Sequence, residues 1–164
     1  MAADIVNGVR LKDLFCEERV VFAIQSGAKE EIVSNLAGTL VETGQLKKNA
    51  VKKFVEGIMA REKLGTTAIG KGISIPHVRT ESCSGLVGAL GVSLEGMDFN
   101  SLDNKPTHAV FMLASPLADK DQQIRILGRI AGVANHDNFL NFLLHCKSAK
   151  EVVELLEEIE DQLS

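Results

Sequence analysis

The hydrophobic and polar positions in the first half of the chain form one short apolar run and two helical periods. Residues 19–24, RVVFAI, are β-branched and apolar, which predicts a strand. Apolar residues then recur every three to four positions from Ser26 to a stop at Gly44, which predicts a helix. A second amphipathic pattern predicts a helix that is capped by Asn49 and ends near Arg61.

In the middle of the chain the pattern is typical of strands. Residues 66–75 are β-branched and interrupted by glycine, and residues 85–93 are small and apolar. After the turn cluster SLDNKP, residues 107–115 form the run THAVFMLAS, which is almost continuously apolar. Such a run predicts a strand that is buried on both of its faces.

The last third of the chain is predicted to be helical. A helix over residues 119–133 would place Ile124, Leu127 and Ile130 or Ala131 on one side, and a short apolar helix would follow over residues 138–146. Ser148 and Glu151 have the spacing of a capping box ahead of the final helix. Together the elements predict an α/β fold in which helices flank a mixed sheet of about four to five strands.

Composition and charge narrow the classes of function. Residues 1–164 are expected to form a single globular domain, because no repeat or linker interrupts them and 45% of them are hydrophobic. A net charge of −4 argues against a nucleic-acid partner, and no apolar run approaches the ~20 residues that span a bilayer. The N-terminus lacks the pattern of a secretion signal, and three cysteines do not suggest a disulfide framework. A reduced, cytoplasmic setting is therefore expected.

One histidine stands out because of its neighbours in the stretch TTAIGKGISIPHVRT. Pro76 removes a backbone donor and keeps the preceding residue extended, so the strand is expected to end there. His77 is then expected on the rim of the sheet. Gly70 and Gly72 would let another backbone, or a ligand, approach closely.

Two arginines lie near this histidine in the sequence. Arg61 ends the second predicted helix, and Arg79 follows His77 by two residues. A rim histidine with guanidinium groups nearby provides what an anion or a phosphoryl group needs. From the residues alone, an ordinary loop histidine beside a structural proline remains an open alternative. Arg61 is equally open to interpretation as a cation at the C-terminus of a helix.

Other kinds of site are disfavoured by the spacing of the residues. The segment GKGISIPH has no third glycine and no helical pattern after it, which argues against a dinucleotide site. It also lacks the Gly-Lys-Ser/Thr of a phosphate-binding P-loop. No pair of histidines or cysteines has the spacing of a zinc site. Neither a cofactor nor a metal is therefore expected.

The stretch REKLGTTAIGKGISIPHVRT resembles the active-site signature of the IIA domains of the bacterial phosphotransferase system (PTS), of the fructose–mannitol type. The resemblance continues through FNSLDNKPTHAVFMLASP and covers the chain from about Leu11 to its C-terminus. The short chain is more similar to the nitrogen-regulatory branch than to the sugar permeases, in which this domain is usually fused to others. The resemblance implies the mannitol-like IIA fold.

The resemblance also implies a mechanism and partners. His77 would accept a phosphoryl group on Nε2 from the phosphohistidine of a small carrier protein of the HPr or NPr kind. Arg61 would neutralise the phosphoryl oxygens. A downstream regulatory or transport protein would respond to the phosphate on His77, and the sequence leaves a homodimer open.

One position departs from the family's pattern. Members usually carry a second histidine at the start of the helix that follows the ASP segment, and the matching position is Gln123. Glutamine can donate a hydrogen bond to phosphate but cannot carry a proton. We therefore expect Gln123 to point its amide at the phosphoryl site. The alternatives are a switch-type or phosphorylation-independent binding module on the same fold, and a sugar-specific IIA component for fructose or mannitol uptake.

Overall fold

The computed structural model describes residues 9–25 and 27–163, so the predicted start of the first long helix at Ser26 lies outside the described residues. Within those two ranges, no helix combines the length and the apolarity that a membrane span requires. The elements, with two short 3-10 turns at Glu17–Arg19 and Lys48–Ala50, are in chain order α1 (Leu11–Leu14), β1 (Val20–Val21), α2 (Lys29–Glu42), α3 (Val51–Lys63), β2 (Ala68–Gly70), β3 (Ile73–Ser74), β4 (His77–Arg79), β5 (Val87–Met97), β6 (Thr107–Ser115), α4 (Lys120–Ala134), α5 (Phe139–Leu144) and α6 (Ala149–Leu163).

The strands form one mixed sheet. Its order is β1-β5-β6-β3-β2, and β4 also pairs with β6. β5 and β6 are antiparallel, whereas β3 and β4 both run parallel to β6. The predicted α/β fold with a mixed sheet is confirmed. The sheet has six strands rather than four to five, because a glycine turn and a proline divide residues 66–79 into three short strands.

The two strands that lead to the histidine lie one after the other along β6. Ile73 pairs with Ala109, and His77 pairs with Leu113 further along the same strand. Between these pairs Pro76 has no N–H to donate, but its carbonyl oxygen accepts the N–H of Leu113 at 2.9 Å. His77 is therefore the first residue of β4, directly after a break in the ladder, as the proline predicts.

Helices cover both faces of the sheet, and β6 is buried on both, as its apolar run predicts. Val110 and Met112 pack in the cluster formed with α2 and α3. Phe111 and Leu113 pack in the cluster formed with α1, α4, α5 and α6. The ring of Phe111 meets that of Phe15 edge-on, with 5.2 Å between the centroids.

The first apolar run is mostly not a strand. β1 contains two residues, because Arg19 belongs to a 3-10 turn and Ala23 takes a left-handed φ of 58°. Ile24 remains attached to the sheet, since its N–H donates to the carbonyl oxygen of Val92 at 2.8 Å. A left-handed alanine is not visible in a hydrophobic pattern.

Two predictions about helices are also wrong. Asn49 lies inside the 3-10 turn before α3, and no side chain caps that helix at its N-cap residue, Ala50. In α4, Ile124 is 54% exposed, whereas Gln123 is buried. The inward face is set by Ile126 and by Ile130, which was predicted, and Ile124 points away from that face because successive residues turn by about 100°.

The final helix has half of its predicted capping box. The Ser148 Oγ accepts the N–H of Glu151 at 3.2 Å, but the carboxylate of Glu151 accepts the N–H of Lys147 at 3.0 Å instead of that of Ser148. Both bonds still satisfy backbone donors at the start of α6.

A buried carboxylate joins three helices on this face of the sheet. Glu160 of α6 accepts the N–H of Leu11 at 3.0 Å, the Nε–H of Arg10 at 3.3 Å and an N–H of Arg129 at 2.8 Å. Because α1, α4 and α6 all contribute to this cluster, it fixes the helical layer behind the sheet.

Candidate active site

His77 occupies a half-buried position at the rim of the sheet. Its Nδ1 lies 2.7 Å from the carbonyl oxygen of Ile75, two residues earlier. A carbonyl oxygen can only accept a hydrogen bond, so Nδ1 carries the proton in the neutral ring. The lone pair of the neutral imidazole therefore resides on Nε2.

The surroundings of this ring favour its neutral form. Burial lowers the pKa of His77 below its ordinary value of 6.5, and the positive charge of Arg61 lowers it further. The hydrogen bond to Ile75 and the negative charge of Glu62 oppose this shift and raise the pKa. Because the balance is a lowered pKa, the ring is neutral at pH 7 and Nε2 is available as a nucleophile.

The structure places Arg61 near the histidine and turns Arg79 elsewhere. Arg61 lies in the last turn of α3, where one guanidinium N–H donates to the carbonyl oxygen of Gly65 at 3.0 Å. Its charge contributes to the environment of the His77 ring. The guanidinium of Arg79 is exposed and lies 3.5 Å from the carbonyl oxygen of Leu117.

Gln123 reaches the strand that carries His77. Its side-chain N–H donates to the carbonyl oxygen of Val78 at 2.9 Å. His77 pairs with Leu113, whose side chain belongs to the core on the α4 side, so His77 and Gln123 lie on the same side of the sheet. The helix position where the family usually has a second histidine is thus tied to the residue that follows His77.

The glycines of the signature form a tight turn between β2 and β3. Gly70, Lys71 and Gly72 have φ values of 97°, 56° and 79°. A Cβ on Gly72 would come within 2.8 Å of a methyl carbon of Leu140, and one on Gly70 within 3.2 Å of a carboxylate oxygen of Asp103. The close approach expected at these glycines is made by side chains of the protein itself.

A buried acidic residue beside Arg61 was not identified by sequence reasoning. Glu62 is 8% exposed, and its carboxylate forms an ion pair with Lys29 at 2.9 Å. The partner stands 33 positions away on α2, so no local pattern connects the two residues. The sequence did offer one indication of this residue. Glu62 belongs to the signature and lies on the inner side of an amphipathic helix.

The family model described as "Phosphoenolpyruvate-dependent sugar phosphotransferase system, EIIA 2" matches residues 13–159. The chain belongs to this family. EIIA 2 proteins act in phosphoryl transfer within the system that the family is named for. The observed α/β fold and the sequence signature agree with that membership.

Relatives of this EIIA 2 chain include fructose-specific components and nitrogen regulatory proteins. It is 28% identical to the PTS system fructose-specific EIIABC component of Bacillus subtilis over 92% of its own length, but spans only 23% of that protein. It is 25% identical to the nitrogen regulatory protein of Pseudomonas aeruginosa, over 93% of its own length and 98% of that protein. The crystal structure of nitrogen regulatory protein IIA-Ntr from Neisseria meningitidis matches with a TM-score of 0.79 and 27% identity, covering 89% of this chain and 98% of that one.

An open cleft adjoins the candidate site of this EIIA 2 chain. It has a volume of about 490 Å³ and lies between α3 and β4. Its lining includes Lys53, Gly57, Arg79 and Leu117, the last of which is 54% exposed. Within the described ranges, no group of three or more histidine, cysteine or acidic side chains is placed to hold a metal ion.

Charge is distributed unevenly around this site. Residues 47–79 carry eight lysines and arginines against two glutamates, a net charge of +6, although the whole chain carries −4. Helix α6, which packs on the other face of the sheet from α3, contains six acidic residues and one lysine. The candidate site therefore lies in the basic part of an acidic protein.

Proposed function

We propose that this chain is a phosphocarrier of the EIIA 2 family in which His77 accepts a phosphoryl group from the phosphohistidine of a small carrier protein of the HPr or NPr kind. The observation that carries the proposal is the hydrogen bond of Nδ1 to Ile75, which leaves the Nε2 lone pair free on a neutral ring. In the transfer, a bond forms between Nε2 and phosphorus while the N–P bond of the donor breaks. The electron pair of the broken bond returns to the donor's imidazole.

Two further residues support the transfer in this proposal. Arg61 neutralises charge on the phosphoryl oxygens in this proposal, and its positive charge already lowers the pKa of His77. Gln123 holds β4 through Val78 and offers its second amide hydrogen to the phosphoryl group. Because glutamine carries no proton, its role is to position and stabilise the group.

A regulatory role of the nitrogen type is favoured over a role in sugar uptake. It is supported by the structure of nitrogen regulatory protein IIA-Ntr from N. meningitidis, which matches at 27% identity with a TM-score of 0.79, and by the 25% identity to the nitrogen regulatory protein of P. aeruginosa. In the regulatory role, phosphate on His77 changes the charge of the rim, and a downstream regulatory or transport protein distinguishes the two states. A sugar-specific IIA role is the second candidate, supported by the 28% identity to the fructose-specific component.

The decisive experiment is phosphorylation in a purified mixture of enzyme I, a carrier protein and this chain, with phosphoenolpyruvate as the donor. The expected result is an acid-labile gain of one phosphoryl group by intact mass, which is absent from His77→Ala. His145→Ala is the matched control, because that histidine is exposed and lies at the end of α5. No gain with both HPr-type and NPr-type carriers would leave a phosphorylation-independent binding module, to which Gln123 would then point.

A further inference from the structure

We propose that Glu62, held as an ion pair with Lys29, is the positioning residue that fixes the tautomer and orientation of His77. This inference rests on the proposed function, because it assigns a role within the same phosphoryl-transfer site. The inference rests on a buried carboxylate at the end of α3. This carboxylate holds Thr67, and Thr67 binds Ile75, the residue whose carbonyl oxygen accepts the hydrogen bond of His77.

The first step is the set of partners around the carboxylate. Glu62 accepts hydrogen bonds from the Thr67 hydroxyl, from the Thr67 N–H at 3.3 Å and from the Lys29 ammonium at 2.9 Å. The Thr67 hydroxyl also lies 3.4 Å from the Ser74 Oγ on β3. Both carboxylate oxygens are therefore engaged, and Thr67 is held through its backbone and its side chain.

The second step connects Thr67 to the histidine. The carbonyl oxygen of Thr67 accepts the N–H of Ile75 at 3.0 Å. The carbonyl oxygen of Ile75 in turn accepts the Nδ1–H of His77 at 2.7 Å. An unbroken series of hydrogen bonds therefore runs from Glu62 to the ring nitrogen that must stay protonated for Nε2 to react. The outer partner of a reactive histidine sets its tautomer in the same way at other sites.

The third step explains why the carboxylate needs Lys29. A bare negative charge beside the ring would repel an incoming phosphoryl group and favour the protonated ring. Lys29 offsets part of this charge by pairing with Glu62, and its ammonium also lies 5.2 Å from the centroid of the Phe99 ring. The side chains of Lys29 and Glu62 are only 14% and 3% exposed, so solvent screens the charge of Glu62 weakly.

The fourth step concerns Arg61. The carbonyl oxygen of Glu62 accepts the N–H of Gly65 at 3.2 Å, and the carbonyl oxygen of Gly65 accepts the guanidinium of Arg61 at 3.0 Å. Thr67, at the far end of the same turn, is the residue that the Glu62 carboxylate holds. The Glu62 carboxylate thus stabilises the turn that contains Gly65, which binds Arg61, and Thr67, which supports His77 through Ile75.

Charged groups approach His77 from several elements, and each must be considered in the test. Arg61 and Glu62 act on the ring from α3, and Lys29 acts from α2 through its pair with Glu62. From α4 the neutral amide of Gln123 binds the carbonyl oxygen of Val78, next to His77, and on β4 the guanidinium of Arg79 is turned to Leu117. Substitutions at Lys29 and Glu62 are therefore best made so that both charges disappear together.

The test measures phosphorylation of His77 in the full chain with phosphoramidate, a small donor, and with a protein carrier, beside the tautomer of the His77 ring by ¹⁵N NMR. Glu62→Ala is expected to slow transfer from both donors by roughly tenfold or more and to spread the proton between Nδ1 and Nε2. The double variant Lys29→Met/Glu62→Gln keeps an oxygen for the Thr67 hydroxyl and removes both charges. It is expected to recover the wild-type tautomer and a rate within about threefold of wild type.

Glu160→Gln is the matched control, because it changes another buried carboxylate that binds cations and a backbone N–H far from the site. It is expected to lower stability without changing the rate or the tautomer. Thr67→Val, which removes the hydroxyl without changing shape, replaces Glu62→Ala if that variant does not fold. The inference is overturned if Glu62→Ala, or Thr67→Val in its place, behaves like Glu160→Gln in rate and tautomer. If wild type accepts no phosphoryl group, the proposed function fails, and the tautomer alone decides the role of Glu62.

Discussion

Gln123 donates a side-chain hydrogen bond to the carbonyl oxygen of Val78 at 2.9 Å and thereby ties the first turn of α4 to the strand that begins with His77. This amide is buried and belongs to a helix, so it restrains the strand. The position of β4 next to β6 thus has a second support besides the backbone ladder.

Removing this amide is expected to affect both stability and transfer. Gln123→Ala removes the buried side-chain hydrogen bond to the Val78 carbonyl oxygen, which costs about 0.5–1.5 kcal/mol in the free energy of unfolding. The phosphoryl group on His77 is also expected to be lost faster by hydrolysis. Urea unfolding and the lifetime of the phosphorylated protein measure the two effects. Gln122→Ala serves as the neighbouring control and is expected to change the free energy of unfolding by less than about 0.5 kcal/mol; equal effects at both positions would contradict the prediction.

The pH dependence of phosphorylation follows from the lowered pKa of His77. Transfer requires the neutral ring, so the rate is expected to be highest near pH 8 and to fall to half at a pH below the ordinary histidine value of 6.5. The unfolded chain binds more protons than the folded chain between the lowered pKa and 6.5, so the free energy of unfolding rises with pH across that window. The contribution of His77 to stability is therefore complete above pH 6.5 and is lost as the pH falls through the folded pKa.

Rates with phosphoramidate at pH 5 to 8 and the NMR titration of the His77 ring check this expectation. His145→Ala should leave the profile unchanged. A midpoint above 6.5 in either measurement would contradict it.

Arg61 is expected to matter for rate much more than for stability. Arg61→Met removes a cation from the site, so transfer should fall by roughly 100-fold, and the pKa of His77 should rise. Its one hydrogen bond, to Gly65, is exposed, so the loss in the free energy of unfolding should stay near about 1 kcal/mol. Arg79→Met is the matched comparison, because that guanidinium turns to Leu117. Single-turnover kinetics that show the larger loss for Arg79→Met would reverse the assignment.

The Glu160 cluster gives a prediction about stability alone. Glu160→Ala leaves Arg10 and Arg129 without their buried partner, which is expected to cost about 3–5 kcal/mol. Glu158→Ala, on the exposed side of the same helix, should cost less than about 0.5 kcal/mol. Chemical denaturation of both variants measures the difference, and a loss below 1 kcal/mol for Glu160→Ala would contradict the role of the cluster.

The turn before β3 gives a second stability prediction with a control of opposite sign. Gly72→Ala places a Cβ 2.8 Å from a methyl carbon of Leu140 at a φ of 79°, so we expect a loss of about 1–3 kcal/mol. Gly38→Ala lies within α2 and meets no atom within 4 Å, so we expect a gain of about 0.5–1 kcal/mol. Thermal unfolding compares the two, and a stabilised Gly72→Ala would contradict the close packing of this turn.

The elements that a local pattern specifies were predictable from the sequence. β6 was predicted residue for residue, because a strand buried on both faces needs apolar side chains throughout. The rim position of His77 was also predictable, since Pro76 cannot extend the ladder. In both cases the physical cause lies within a few neighbouring residues.

Features that depend on distant partners were not predictable. Gln123 is buried with its amide bonded to a carbonyl oxygen 45 positions away, and its neighbour Ile124 is exposed as a result of the same helix rotation. Glu62 is buried because Lys29 and Thr67 surround it, and Lys29 belongs to another helix. A hydrophobic pattern indicates which positions are buried, but it does not indicate which polar groups form hydrogen bonds with each other.

Helix α3, within the basic residues 47–79, and the acidic helix α6 pack on opposite faces of the sheet, so opposite charges are separated across the molecule as in an electric dipole. In the field of an anionic partner, such a dipole experiences a torque that turns the basic end, with its histidine, to the front before contact. The overall charge of −4 would slow that encounter, while the orientation makes a larger share of encounters productive. Added salt shortens the range of both effects, because at physiological ionic strength the field already decays over about 8 Å.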